Sequence, residues 1–446
     1  MAIAQTGSAP RIAMLSVHTC PLATLGGKET GGMNVYVREL ARELGNRSIP
    51  VDVFTRSQDE RIKRISRRLG NEVRVIHLPA GPEKPYNKNE IFHHLPQFVA
   101  GVREFANTEG IAYDVLHSHY WLSGLAAQNL RETWGAPVVH MFHTLAELKN
   151  RVAMTAAELE PELRSSCEGE IMQQADVIIA ATTLEREQMR TFYGADAMKI
   201  QIVPPGVDLE LFRPLPCEAS RAAVGIPLDH HMILFVGRIQ PIKGIDTLIR
   251  AMAVLLRKRP HLKGKMCLSI IGGAGDPATD GELARLQTLE RELGIDDVVT
   301  FLGSRAQETL VNYYNAASMV VVPSHYESFG MVALEAMACG TPIIASDVGG
   351  LSLNVADGFN GYLVPKGDVE ALAYKMELML EHEQLRAQLG TQACQWAQRF
   401  SWQTIADETL GIYARAGNGQ GEAFLPYMST GRGGRVQLPV VERECP

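Results

Sequence analysis

Short apolar segments rich in β-branched residues alternate with helical patterns along most of the chain, and this alternation constrains the fold more than any other feature. In the first half the short segments are 11–18 (RIAMLSVH), 51–55 (VDVFT), 73–78 (VRVIHL), 114–119 (DVLHSH), 136–142 (APVVHMF), 176–181 (DVIIAA) and 200–204 (IQIVP). Helical stretches such as 33–45 (MNVYVRELARELG) and 96–107 lie between them. The second half repeats the pattern at 231–237, 266–273, 298–303, 318–324, 341–346 and 361–365. Apolar strands separated by helices predict βαβ units and parallel sheets covered on both faces. So many strands exceed one comfortable sheet, which predicts an α/β chain of two doubly wound domains. The seam falls in the proline-dense VPPGVDLELFRPL, residues 203–215. The expected organisation is an extension over 1–10, a first domain over 11–205, a second over 206–400, a closing helix over 401–416 able to return to the first domain, and a flexible Gly-rich tail over 417–446.

Composition narrows the class. A net charge of −7 argues against a nucleic-acid binder, which would carry a basic face. The seven cysteines form no CxxC pair and fit free thiols in a reducing cytosol. The first ten residues lack the pattern of a signal peptide, and no apolar run reaches the ~20 residues of a membrane span. A cytoplasmic protein is expected.

In sheets of this kind ligands bind beyond the carboxyl ends of the strands, and the residues with chemical character cluster there. ESFGMVALEA (327–336) sets Glu327 and Glu335 eight residues apart. A helix starting near Ser328–Gly330 would present unpaired amides over Ser328, Phe329, Gly330, Met331 and Val332, a seat for phosphate. Glu335 then lies just over two turns on, along the helix flank, where a carboxylate suits the vicinal hydroxyls of a ribose. The plainer alternative is a dipole-stabilising acid and a solvated one. The apolar neighbours Leu334 and Ala336 count against it. In FVGRIQPIKG (235–244), Arg238 and Lys243 follow a strand and precede a helix, where cations oppose the helix dipole unless an anion is present. Gly26, Gly27, Gly31 and Gly32 form a loop after the first strand that faces the same cleft. His143 ends a strand. It, Lys88, Tyr120 and Arg164 carry no signal of their own.

Together these segments resemble a known family. ESFGMVALEAMACGTPIIAS resembles the E-x7-E segment of the retaining GT-B glycosyltransferases, the superfamily of glycogen synthase and sucrose synthase; GRIQPIKG is similar to its Arg…Lys donor-phosphate motif and TGGMNVYV to its glycine loop. HTCPL, GGMNVYV, HSHYWLSG and HTLAELKN resemble, more narrowly, the D-inositol 3-phosphate glycosyltransferases of mycothiol synthesis, with sucrose-phosphate-synthase-like enzymes as the nearest alternative. The resemblance runs from residue 11 to about 415. It implies the GT-B fold, two Rossmann-like domains facing across a cleft. It implies retaining transfer of a hexosyl group from a nucleoside diphosphate sugar, a UDP-sugar first, to a phosphorylated polyol or sugar such as inositol phosphate.

The resemblance also implies roles for residues. Gly31, Gly32, Arg238, Lys243, Arg305, Glu327, the 328–332 amides and Glu335 would hold the donor, with Arg305 near the base. His143, Arg238, Lys243 and Glu327 would form the catalytic set. Lys88, Tyr120, Thr144 and Arg164 would grip the acceptor's phosphate, with His18 and Asn34 lining the same pocket. No cofactor is implied, no DxD-like metal motif is evident, and stimulation by Mg2+ is left open. A homodimer is compatible with the resemblance. A non-catalytic nucleotide-sugar sensor is the alternative of another class; the intact set Arg238, Lys243, Glu327, Glu335 and His143 argues against it. The chain departs from the family pattern at Lys28 in the glycine loop, at Ser165, where the family carries a second Arg, and beyond Ala416.

Overall fold

A computed structural model describes residues 9–23, 30–153, 156–273 and 281–417. Gly26, Gly27, Lys28 and the tail from 418 onwards lie outside the described residues. Fourteen strands form two sheets in the described part. The first sheet contains β1 (Ile12–Leu15), β2 (Val51–Arg56), β3 (Ile65–Ser66), β4 (Val73–Leu78), β5 (Val115–His119), β6 (Val138–Met141), β7 (Val177–Ala180) and β8 (Ile200–Ile202), in the order β3-β4-β2-β1-β5-β6-β7-β8. The second contains β9 (His231–Val236), β10 (Met266–Ile271), β11 (Val299–Gly303), β12 (Met319–Val322), β13 (Ile343–Ser346) and β14 (Gly361–Val364), in the order β11-β10-β9-β12-β13-β14.

All pairings are parallel except β3 with β4. The apolar runs predicted this: every residue of β1, β6, β12 and β13 is buried, as strands covered by helices on both faces must be. Strand β3 was not foreseen, because two residues at a sheet edge carry no period. Most predicted strands overrun at their carboxyl ends, although β4, β5, β11 and β13 end where expected and β2 runs one residue further. The segment read as 11–18 is a strand only to Leu15; the Ser16 amide still donates to the Phe54 carbonyl at 2.9 Å and the Val17 carbonyl accepts from the Arg56 amide at 3.1 Å before His18 reaches the cleft.

The order of each sheet reverses once, between β1 and β5 in the first and between β9 and β12 in the second. A crevice opens at each reversal, at the carboxyl ends of the strands. The chain crosses from the first sheet to the second after β8 and comes back after Phe400. The two crossings run side by side, with the Val207 amide donating to the Phe400 carbonyl at 2.7 Å. The helix Trp402–Gly417 then packs on the first sheet's side. Arg47 pairs with Asp407 at 3.0 Å, and Tyr413 Oη meets His117 Nδ1 at 2.6 Å. Gly206 is required at this junction: a Cβ there would sit 2.6 Å from the Trp402 indole.

Candidate active site

The two crevices face each other and merge into a cavity of about 320 Å³. That is at the lower end of the range of small-molecule sites. Every predicted site residue except Arg164 lines it. Arg164 lies directly behind, its guanidinium 4.7 Å from the centre of the Tyr120 ring.

The second domain's wall carries the cations and acids of the predicted donor site. The helix starts at Met331 rather than at 328–330, and Gly330 caps it with φ +92. A Cβ at that position would lie 2.6 Å from Leu351, so both backbone and space demand glycine. Ser328 and Phe329 therefore belong to the turn before the helix, while the amides of Met331 and Val332 form its first turn. Glu327 is held from behind: its carbonyl accepts from the Gly350 amide at 2.9 Å, and a Cβ on Gly349 would collide with it at 1.9 Å. Its carboxylate meets Lys243 Nζ at 2.5 Å, so the two residues form an ion pair with each side chain at most one-fifth exposed.

Glu335 sits deeper, 7% exposed. Its two oxygens accept from Tyr314 Oη at 2.7 Å and Gln307 Nε2 at 3.1 Å. Burial pushes its carboxyl up to about 7, against the pull of those two donors and of Arg38. Arg305 lines the cavity and is steadied by the Ser304 carbonyl at 3.1 Å. Across the cleft stands the start of the 15-residue helix Gly32–Asn46. A Cβ on Gly31 would be 3.9 Å from Arg238 Nε, and one on Gly32 would be 3.1 Å from Met331 Sδ. Two helix N-termini and two cations thus converge from both domains, an arrangement suited to a diphosphate.

The first domain contributes a second cationic centre. Lys88, Lys149 and Arg164 all converge on one oxygen, Glu160 Oε1: Lys88 Nζ at 3.4 Å, Arg164 Nη1 at 3.1 Å, and Lys149 in close ion-pair contact. Burial raises the Glu160 carboxyl, but the charges of Arg164, Lys88 and Lys149 overcome it and hold it at about 2. Arg164 is also fixed by Glu168 at 2.7 Å and by the Thr144 carbonyl and hydroxyl at 2.8 and 3.1 Å. His18 lies against Tyr120 with ring centres 4.3 Å apart and the planes tilted by 41°, and its Nδ1 has no hydrogen-bond partner among the described residues.

Asn34 lines the cavity and also serves the fold: Nδ2 donates to Thr19 Oγ1 and the Cys20 carbonyl, both at 2.7 Å, and Oδ1 accepts from the Gly31 amide at 2.9 Å. It ties the glycine loop to the loop after β1. Ser165 turns its hydroxyl back to the Glu162 carbonyl on its own helix.

His143 follows β6 with φ +61, and Tyr120 follows β5 with φ +74. They are two of the three non-glycine residues in the left-handed region among the described residues. Such conformations cost energy and gather at functional sites. His143 Nε2 meets His119 Nδ1 at 3.0 Å, and burial lowers its pKa to about 3. An imidazole so reluctant to take a proton is a poor general base, and suits contact with a neutral hydroxyl. Reading the sequence missed Lys149, Glu160, Glu168, Gln307 and Tyr314. Lys149 lies within HTLAELKN and was within reach, and Glu160 and Glu168 stand four residues either side of Arg164, a spacing that the sequence carries; Gln307 and Tyr314 matter through Glu335, more than twenty residues away.

Comparison with known proteins bears on the fold and the family. Residues 30–211 match the model of the glycosyltransferase family 4 domain, and residues 217–396 that of the glycosyl transferases group 1. The chain is 43% identical over 407 residues to the D-inositol 3-phosphate glycosyltransferase of Saccharomonospora viridis, covering 91% of this chain and 94% of that one. It is 41% identical to the enzyme of the same name from Nocardiopsis dassonvillei, covering 92% and 96%. Among solved structures, the sucrose-phosphate synthase of Thermosynechococcus elongatus superposes with a TM-score of 0.85 at 34% identity, over 92% of this chain and all of that one. An Anabaena protein crystallised with UDP and glucose shares the fold, with a TM-score of 0.69 at 21% identity over 90% and 99%. Among the described residues no helix is long and apolar enough to cross a membrane.

Proposed function

The chain belongs to the glycosyltransferase family of these relatives, with the GT-B fold, and is an enzyme that transfers sugar; we propose that it moves a hexosyl group from a UDP-sugar to a phosphorylated polyol, inositol phosphate first, with retained configuration. The observation that carries the reading is the presence of two separate anion seats in one cavity. One is Arg238, Lys243 and the Gly32 and Met331 helix starts; the other is Lys88 and Lys149, with Arg164 behind the cavity wall. A donor diphosphate and an acceptor phosphate need two such seats. The names of the relatives support an inositol phosphate acceptor.

On this reading the bond between the sugar's anomeric carbon and the diphosphate breaks, and the negative charge grows on the leaving oxygen. Arg238, Lys243 and the helix-start amides stabilise that charge. The acceptor hydroxyl attacks on the same face, and its proton passes to the leaving diphosphate oxygen. Glu335 holds the ribose. Glu327, once Lys243 turns to the diphosphate, accepts from the sugar's hydroxyls, and His143 contacts the sugar as a neutral imidazole. The 34% identical sucrose-phosphate synthase favours a second reading, with a phosphosugar acceptor. Nucleotide release from UDP-, ADP- and GDP-sugars, with inositol phosphate or fructose 6-phosphate, tests both. Release that depends on inositol phosphate supports the first, and release that depends on fructose 6-phosphate the second. Release with neither overturns the phosphorylated-acceptor reading.

A further inference from the structure

The three cations of the first domain's seat are not held apart for an absent ligand; one carboxylate oxygen already gathers them. Two acids touch this cluster, and they differ in kind. Glu168 is built into the fold, accepting from the Ala146 amide at 2.9 Å, Tyr193 Oη at 2.5 Å and Arg164 Nε at 2.7 Å. Glu160 turns its Oε1 to the cations Lys88, Lys149 and Arg164. Its backbone is pinned by Asn150, whose Oδ1 accepts from the Glu160 amide at 2.7 Å. Arg164 Nη1 is fully buried and 3.1 Å from Glu160 Oε1, yet among the described residues it makes no hydrogen bond of proper direction. The pair is therefore held by charge, with a donor left for another acceptor oxygen.

We infer that Glu160 is a built-in counter-anion that stands where the acceptor's phosphate group binds, and that the acceptor must displace it. The inference rests on the proposed phosphorylated acceptor. Arg164 is buried with Glu168 as its partner, and Lys88 and Lys149, a quarter exposed, add two more positive charges beside it, so the empty enzyme keeps a further anion among the three. A phosphate dianion can replace a monoanionic carboxylate on Lys88, Lys149 and Arg164, because it brings more charge and three acceptor oxygens. A neutral polyol can do neither, so Glu160 acts as a specificity residue against unphosphorylated acceptors.

The test is Glu160→Gln, which keeps the shape and removes the competing charge. Two readouts are used: thermal stabilisation by inorganic phosphate, and steady-state kinetics with inositol phosphate. The expected result is a less stable empty enzyme, half-saturation by phosphate at roughly tenfold lower concentration, and a matching fall in KM, the change appearing in KM rather than kcat. If Glu160 instead only orients Arg164, phosphate binds more weakly and KM rises, which overturns the inference. If neither wild type nor variant responds to phosphate or needs a phosphorylated acceptor, the acceptor reading itself has failed and the inference falls with it. Glu160→Asp keeps the charge but withdraws it by one methylene. It is the second variant should the Gln form not fold, with a KM between wild type and that expected for Gln; a KM above wild type overturns the inference.

Discussion

Glu335 keeps a carboxylate where the fold would be better served without one, and the size of that penalty can be worked out. Burial raises its carboxyl from 4.5 to about 7. The native state therefore holds the proton more tightly than the unfolded chain. The side chain's stabilising contribution is complete below the unfolded value and is lost as the pH rises through about 7. At about 1.4 kcal/mol per unit, the native state is worse off by about 3 kcal/mol near pH 8.5, and by under about 1 kcal/mol near pH 5. Glu335→Gln removes this titration. The amide can accept from Gln307 Nε2 and donate to Tyr314 Oη, the arrangement open to a protonated carboxyl at the same place, so the variant mimics the neutral form at every pH. The variant's stability relative to wild type should then rise by about 2.5 kcal/mol between pH 5 and pH 8.5, or roughly 5–10 °C in melting temperature for a domain of this size. Calorimetric melting of both proteins across that range measures it. A difference that stays flat with pH would refute the reasoning, since it would mean that the native carboxyl titrates like an unfolded one. The same proton links to function. On the proposed reading ribose hydroxyls donate to the ionised form, so UDP affinity should strengthen from pH 6 to 8 in wild type and be weak and flat in the variant.

Three further perturbations separate catalysis from architecture. Lys243→Ala should lower kcat by roughly 10²–10³ in the nucleotide-release assay, as for loss of one donor to a developing anion; an unchanged kcat would remove Lys243 from leaving-group stabilisation. Tyr413→Phe leaves His117 Nδ1 without its 2.6 Å partner in a fully buried site, and should cost about 1–3 kcal/mol by chemical denaturation. Trp402→Ala empties the space against Gly206 and the Tyr36 ring, 5.5 Å away, and should cost about 3–5 kcal/mol. A loss below about 1 kcal/mol would mean that the returning helix is held elsewhere.

What the sequence disclosed follows from how local each signal is. Buried parallel strands read as unbroken apolar runs, so thirteen of the fourteen were visible, while β3, two residues long, was not. Strand ends were misjudged because Val17 is as buried as the strand before it, though it lines the turn into the cleft. On the donor side Arg238 and Lys243 share one loop, and Glu327 and Glu335 one turn and helix, so spacing and dipole arguments reach them. The acceptor side draws Lys88, Tyr120, Thr144 and Arg164 from four separate segments, and nothing local brings them together. Only the resemblance did. Glu335 was recognisably buried from its neighbours, but its partners Tyr314 and Gln307 come from another helix. Asn34 lines the cavity as expected, but its loop-fastening hydrogen bonds were not legible, because a polar residue in a helix's first turn looks the same in sequence whether or not it also fastens a loop.

The two anion seats obey the same electrostatic rule at different depths. A cation drawn out of water needs a counter-charge, and here each seat supplies one from the protein: Glu327 to Lys243, and Glu160 to Lys88, Lys149 and Arg164. An entering phosphate then exchanges one anion for another instead of paying for naked charge. At the donor seat the side chains of Lys243 and Glu327 are 16% and 20% exposed, so water can follow the parting pair. At the acceptor seat Lys88 and Lys149 are as open, at 24% and 25%, but Glu160 is 5% and Arg164 0% exposed, so the contact that must be given up there is a dry one. On the proposed reading the acceptor seat therefore selects for an anion able to take the carboxylate's place. It should tolerate change in the polyol far better than loss of the phosphate, because the phosphate alone supplies the charge that the displaced carboxylate gives up.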